Sequence, residues 1–167
     1  MDNVILIGFM GVGKGTVARA YAKKYDRFAI DTDDLIESLE NRKIKTIFAE
    51  DGESYFRALE KKCALWLEKS VRDSIISTGG GFFKQENIKN IGKIVLLDSS
   101  FDGIYERIIT HPNASKRLAK RPLFKDIDSA RKLYDERVAQ YKEVADIILN
   151  VEKRELEDII DELHSIV

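Results

Sequence analysis

The chain is short of several things that would assign it to a class at once. Cysteine occurs once in 167 residues, at Cys63, so no intramolecular disulfide can form. Histidine occurs twice, at His111 and His164. The two lie far apart, in an unpatterned stretch and in a terminal helical pattern, which disfavours a metal-dependent hydrolase. Charge of one sign is also missing: 28 basic residues face 29 acidic ones, a net charge of −1. That balance argues against non-specific nucleic-acid binding by the whole surface. There is no long apolar run. The first, Val4–Ile7, is too short for a signal peptide or a membrane span, and Asp2 stands where a basic region would precede a signal. A cytoplasmic location with no membrane or nucleic-acid partner is expected. No internal repeat and no low-complexity linker interrupts the chain.

What is present is an ordinary globular composition, 44% apolar and 34% charged, with length enough for one domain with its own core. Short apolar runs predict strands at Val4–Ile7, Phe28–Ile30, Ser74–Ser77, Ile94–Leu97 and Ile147–Leu149, each read as buried. Helical spacing predicts helices over Lys14–Tyr25, Asp34–Asn41, Ser54–Val71, Gln85–Asn90, Phe101–Thr110, Ser129–Ala145 and Glu155–Ile166. Strands alternating with helices imply crossovers and a parallel sheet covered on both faces. Cys63 shares a helical face with Phe56, Leu59 and Trp66, which predicts a core thiol. Residues 111–126 lack clear periodicity, contain both prolines, Pro112 and Pro122, and carry five basic residues. A loop of that length in an α/β domain serves a function or is a solvated basic segment.

The segment Gly8-Phe9-Met10-Gly11-Val12-Gly13-Lys14-Gly15-Thr16 follows the first apolar run and opens the first helical pattern. By composition, G-x-x-x-x-G-K arises in roughly one chain in twenty of this length, so its context carries the assignment. Strand, glycine-rich loop and helix in that order are what a phosphate-cradling P-loop requires. Backbone N–H groups and the positive end of the helix face the anion, and Lys14 adds a point charge. The usual Ser or Thr after the lysine, whose hydroxyl meets Mg²⁺, is replaced by Gly15.

Four further features bear on the acceptor. Asp31-Thr32-Asp33-Asp34 stands at the carboxyl end of the second strand, where ligands of open α/β sheets sit. In an extended segment Asp31 and Asp33 point in opposite directions, one toward a metal and one toward an acceptor hydroxyl; alternatively Thr32 or Asp33 caps the next helix. Gly79-Gly80-Gly81 suits a backbone that approaches a ligand closely, or a flexible turn. Arg57 and Arg137 lie on helices and present planar forks for a carboxylate or phosphate; each also reads as a surface arginine, with Glu60 a partner for Arg57. Arg121-Pro122-Leu123 would deliver an arginine from a closing loop to a transferring phosphoryl group.

Taken together, the P-loop, Asp31-Thr32-Asp33, Ile47 to Glu53 with Phe56-Arg57 and Glu60, the glycine triplet, Arg121-Pro122-Leu123 and Arg137 resemble shikimate kinase over essentially the whole chain. The resemblance implies one α/β domain, residues 1–167, of three-layer P-loop kinase fold. It would hold a five-stranded parallel sheet, a lid at about 111–125 and substrate-binding helices at about 32–61. It implies transfer of the γ-phosphate of ATP to the 3-hydroxyl of shikimate, on the route to chorismate and aromatic amino acids, with Mg²⁺ as cofactor, by a monomer.

Carried over by position, the resemblance assigns Gly11, Val12, Gly13, Lys14, Gly15 and Thr16 to the ATP phosphates. Arg107, with Lys153 or Arg154, goes near the adenine, and Arg121 to the phosphates from the lid. Asp33, Arg57, Gly79, Gly80, Arg137, Phe48 and Phe56 go to shikimate, with Asp33, Lys14 and Arg121 catalytic. Asp31 and Thr16 go to the metal. Most relatives carry Ser where this chain has Gly15, so the resemblance implies a water in the metal shell there. The stretch Arg107–Arg121 is also longer than in typical relatives. Another small-molecule or nucleoside monophosphate kinase is the nearest alternative, since Gly-Lys-Gly-Thr is also how adenylate kinases write this loop. A non-catalytic ATP-binding regulatory module is the alternative from another class.

Overall fold

The computed structural model describes residues 2–167. Five parallel strands form one sheet: β1 Asn3–Ile7, β2 Phe28–Asp31, β3 Ser74–Ser77, β4 Gly92–Asp98 and β5 Ile147–Asn150, in spatial order β2-β3-β1-β4-β5. The helices around it are α1 Lys14–Lys24, α2 Thr32–Glu40, α3 Ile44–Ser70, α4 Ile88–Ile91, α5 Phe101–Ile109, α6 Ala114–Ala119, α7 Ile127–Val144 and α8 Leu156–Ile166. The predicted α/β class and five-stranded parallel sheet are both present.

Burial follows position in the sheet. Every residue of the central strand β1 is buried, and so is all of β3. The outermost strands differ from the buried runs read from sequence. Phe28 on β2 is 83% exposed and Ile148 on β5 is 51% exposed, because an edge strand has a neighbour on one side only. Cys63 is buried as predicted, but Trp66 lies half in solvent on the outer side of α3.

Three helical readings are corrected. The helix read from Ser54 begins at Ile44, with a break at Gly52, whose φ of 82° lets two helical pieces join. Gln85–Asn90 is replaced by a 3-10 turn at Phe82–Lys84 and the short α4. The unpatterned stretch 111–126 contains α6 and a 3-10 turn at Pro122–Lys125, where proline's fixed φ and missing N–H suit the first position. Six residues are too few to display a helical period in the sequence.

Register brings the carboxyl ends of three strands to one level. Leu6 of β1 and Asp31 of β2 both lie opposite Ser77 of β3. The loops that follow therefore leave the same edge of the sheet: Gly8–Gly13 after β1, Thr32 onward after β2, and Thr78–Gly81 after β3. At the opposite edge the fully buried Asn3 ties the strand entrances together. Its amide nitrogen donates to the carbonyls of Val71 and Ile91, both at 2.9 Å, and its oxygen accepts from Ser74 N at 3.1 Å. Asn3→Ala strands three buried backbone groups, and is expected to lower unfolding free energy by about 2–4 kcal/mol in urea titrations, with the native spectrum unchanged.

Candidate functional site

The loop after β1 turns through left-handed backbone at Gly11 (φ 86°) and Gly13 (φ 109°), which only glycine enters at little cost. Neighbours also exclude side chains there. A Cβ at Gly13 would fall 2.7–2.9 Å from the Arg107 guanidinium, and one at Gly11 would fall 2.6 Å from Ile108. α1 then starts at Lys14 with no side-chain cap, so its first N–H groups remain available to an anion. Lys14 is buried, its Nζ donating to the carbonyls of Gly8 at 2.7 Å and Phe9 at 3.2 Å. Burial pulls its pKa down to about 8, against the opposing pull of Asp33 and Asp31.

The two aspartates do not keep extended geometry. Asp31 ends β2 and is itself the cap of α2, its Oδ1 accepting from Asp33 N at 3.0 Å and Asp34 N at 3.3 Å. The cap expected at Thr32 or Asp33 is thus one or two residues earlier, because the helix starts as soon as the strand ends. Asp33 falls in the first turn and faces the same cleft as Asp31. Its Oδ1 is buried and accepts no hydrogen bond within the protein. Burial first, then Asp31, raises its pKa to about 7.

The glycine triplet is a close-approach segment, not a flexible turn. A Cβ at Gly79 would lie 2.7 Å from Asp33 Oδ1, at Gly80 3.1 Å from Arg137 Nη1, and at Gly81 2.5 Å from Arg57 Nη1. The Asp33 carboxylate and the two arginines, from α3 and α7, thus converge on three consecutive backbone units. Thr32 Oγ1 accepts from Gly79 N at 3.1 Å, and Tyr141 donates its hydroxyl to the Gly80 carbonyl at 2.6 Å. Arg57 pairs with Glu53 at 3.1 Å and with Glu60 at 2.6 Å. Glu60 is 1% exposed and its Oε1 is also unpartnered. Burial pushes its carboxyl upward while Arg57 opposes.

A cleft of about 490 Å³ runs from the P-loop to Gly79 and Gly80; Arg57 and Arg137 approach that backbone but do not line the cleft. Its lining combines Lys14, Asp31, Asp33, Gly79 and Gly80 with the cations Arg107, Arg117, Lys120 and Arg121. Arg121 donates to the Arg117 carbonyl at 2.9 Å. Burial lowers the pKa of both Arg107 and Arg121, and their cationic neighbours, Arg117 above all, lower them further; a polyanion between these groups would relieve that repulsion. A second cavity, about 450 Å³, adjoins it between α5 and the β5–α8 loop, with Val12, Thr16, Arg107 and Arg154 in its lining. Among the described residues no three His, Cys, Asp or Glu side chains converge as a metal cage. Asp31 and Thr16, both on the cleft, suit Mg²⁺, which takes one or two protein oxygens and completes its shell from phosphate and water.

The model for the family described as shikimate kinase matches residues 10–167. The chain belongs to the shikimate kinase family. Relatives bearing that name include one from Helicobacter hepaticus, 42% identical over 94% of this chain and 91% of its own length. Another, from Sulfurihydrogenibium sp., is 38% identical over 98% and 96%. Among solved structures, a shikimate kinase from Acinetobacter baumannii in complex with shikimate superposes with a TM-score of 0.86 at 28% identity, covering 99% of this chain and 92% of that one.

The shikimate kinase fold gathers most of the sequence-predicted residues. Gly11, Gly13, Lys14, Gly15, Thr16, Asp31, Asp33, Gly79, Gly80, Arg107 and Arg121 share the first cleft, and Val12 and Arg154 line the adjoining cavity. Phe48 and Phe56 pack on each other at 4.7 Å between centroids, beside Arg57, and neither lines the cleft. Above Gly15, Arg19 leans over the helix start: a Cβ at Gly15 would fall 3.1 Å from its Nη1. Sequence reasoning missed Thr32, Tyr141, Arg117 and Lys120 as members of the site, and used Glu60 only as a pairing partner. Tyr141 was within reach, since it lies one helical turn beyond Arg137. Thr32 lies inside the Asp31-Thr32-Asp33-Asp34 segment, but the sequence offers it only as a cap candidate; its contact with Gly79 N is not legible there.

The raised pKa of Asp33 has a stability consequence. Between its ordinary value of 3.8 and about 7 the folded chain holds a proton that the unfolded chain releases, so stability falls as pH rises through that window. Asp33→Asn is therefore expected to be more stable than the parent by roughly 2–4 kcal/mol at pH 8, with the difference closing near pH 4, in denaturant titrations across pH.

Proposed function

We propose that the chain transfers the γ-phosphate of ATP to the 3-hydroxyl of shikimate, in the route to chorismate and aromatic amino acids. The observation that carries this reading is the convergence of one carboxylate and two arginines on the Gly79–Gly81 backbone, beside a P-loop. A small anion with vicinal hydroxyls fits that polarity. Arg57 and Arg137 take its carboxylate as planar forks, with Gly79 and Gly80 as backbone contacts. Asp33 takes a hydroxyl at the other end, where its buried Oδ1 has no acceptor role inside the protein.

The phosphates of ATP lie along Gly11 to Thr16, and Lys14 turns from the Gly8 and Phe9 carbonyls to meet them. Arg121 closes from the lid, residues 111–125, whose base is held by the buried Phe124. The nucleoside occupies the second cavity, between Arg107 and Arg154. Asp31 and Thr16 would hold Mg²⁺, with water where Gly15 lacks a hydroxyl, and the ion would supply charge neutralisation to the phosphates. Phosphoryl transfer to an alcohol asks little of a base. Asp33 positions the attacking hydroxyl and accepts its proton as the bond to phosphorus forms. A monomer is the proposed working form. No described helix is long and apolar enough to cross a membrane, and a cytoplasmic location accords with the pathway. The substrate-binding region, residues 32–61, would move with α2 and the first half of α3.

A coupled assay of ADP release with shikimate, gluconate and AMP tests the acceptor. Turnover with shikimate is expected, and turnover with AMP but not shikimate would sink the reading. Arg57→Ala and Arg137→Ala should each weaken shikimate use by about 2–4 kcal/mol while ATP affinity stays near the parent value. Asp33→Asn should lose most of kcat; near-full turnover would remove Asp33 from the chemistry. With the free protein titrating near 7 (Asp33) and near 8 (Lys14) as two macroscopic steps, kcat/KM for shikimate should form a narrow bell with its maximum between those values.

A further inference from the structure

The loop between β5 and α8 forms one wall of the second cavity and is fixed from within. Asn150 Oδ1 accepts from Glu152 N at 3.0 Å, the Asn150 carbonyl accepts from the Arg154 guanidinium at 3.0 Å, and Lys153 adopts a left-handed φ of 55°. Val151 N donates to the Asp98 carbonyl at 2.9 Å, which joins the base of the loop to β4.

One side chain crosses from this wall to the opposite one. Glu152 Oε2 accepts from Ser100 N and Oε1 accepts from the Ser100 hydroxyl, both at 3.0 Å. Ser100 caps α5, its Oγ accepting in turn from Gly103 N at 3.0 Å, so the hydroxyl both donates and accepts. The carboxylate thus sits at the positive end of a nine-residue helix. Approach this close requires glycine at 103, where a Cβ would fall 2.8 Å from Glu152 Cδ and 2.8 Å from Ser99 Oγ. At its other end α5 carries Arg107, which donates to the Gly11 carbonyl at 2.9 Å. The helix is therefore pinned to the P-loop at one end and to the β5–α8 loop at the other, and the cavity is the space between these two pins.

We propose that the Glu152–Ser100 contact is a positioning contact that sets the separation of α5 from the β5–α8 loop, and with it the affinity for the nucleoside half of the nucleotide. This rests on the reading of the second cavity as the nucleoside site. Glu152 acts through the wall it holds: Lys153 and Arg154 follow it directly, and their placement against Arg107 depends on where the loop is tied. The phosphates bind elsewhere, at Gly11 to Thr16, so the contact separates the two halves of the ligand energetically.

The test measures ADP and inorganic pyrophosphate binding by calorimetry on the parent, Glu152→Ala and Glu152→Gln, with Tm recorded for each. Glu152→Ala should weaken ADP by about tenfold, as expected for loss of charge-assisted hydrogen bonds at a partly exposed site, and leave pyrophosphate within about twofold. Glu152→Gln, which still offers an acceptor to Ser100 N, should lie between. Unchanged ADP binding, or an equal loss of both ligands that tracks Tm, overturns the proposal. Photocrosslinking of 8-azido-ADP to the parent separates the premise from the inference. A label within residues 103–110 or 151–156 supports the cavity assignment, and a label elsewhere removes that assignment and the proposal with it.

Discussion

The common level at which β1, β2 and β3 end is the constraint on which the rest of this molecule depends. Parallel strands in fixed register deliver their following loops to one edge of the sheet. Asp31 and Leu6 both stand opposite Ser77, so the P-loop, the start of α2 and the glycine triplet emerge side by side. A slip of one residue in β3 would turn its side chains to the other face and move the triplet away from Asp33. Asn3 holds the entrances of β1, β3 and β4 from the far edge. The register is thus secured by side-chain hydrogen bonds as well as by the ladder.

From that edge the electrostatics follow. Two half-buried carboxylates stand beside the buried Lys14, and Arg107, Arg117, Lys120 and Arg121 line the same cleft. Burial moves Asp33 up to about 7 and Lys14 down to about 8, so each group titrates far nearer neutrality than it would in water. The protein bears the cost of half-satisfied charges, with Asp33 Oδ1 unpartnered. The glycines make this arrangement sterically possible. Any side chain at Gly79, Gly80 or Gly81 would displace Asp33, Arg137 or Arg57 respectively.

The catalytic frame was legible in the sequence where chemistry is written as contiguous residues. Gly8 to Thr16 declares a phosphate site because its glycines, lysine and flanking apolar run are adjacent. The five strands were legible because their apolar runs are short and bounded. The short helix at Ala114–Ala119 was not, since it buries no residue and so shows no apolar stripe. The early start of α3 at Ile44 was hidden by Gly52, which reads as a break and is a joint. Asp31 as a cap was concealed because the sequence offers three neighbouring residues that cap equally well.

By itself the sequence determined the fold class, the phosphate loop and, through a pattern spread over the whole chain, membership of the shikimate kinase family. Those properties rest on local spacing and on the order of motifs. Only the tertiary structure decided which groups face one another. Thr32 against Gly79, Tyr141 against Gly80, Glu60 near Arg137, and Glu152 tied to Ser100 are meetings of residues distant in the chain. The physical reason is that a hydrogen bond or desolvated charge depends on a few ångströms of separation. Sequence spacing carries no such distance once the chain has crossed the sheet.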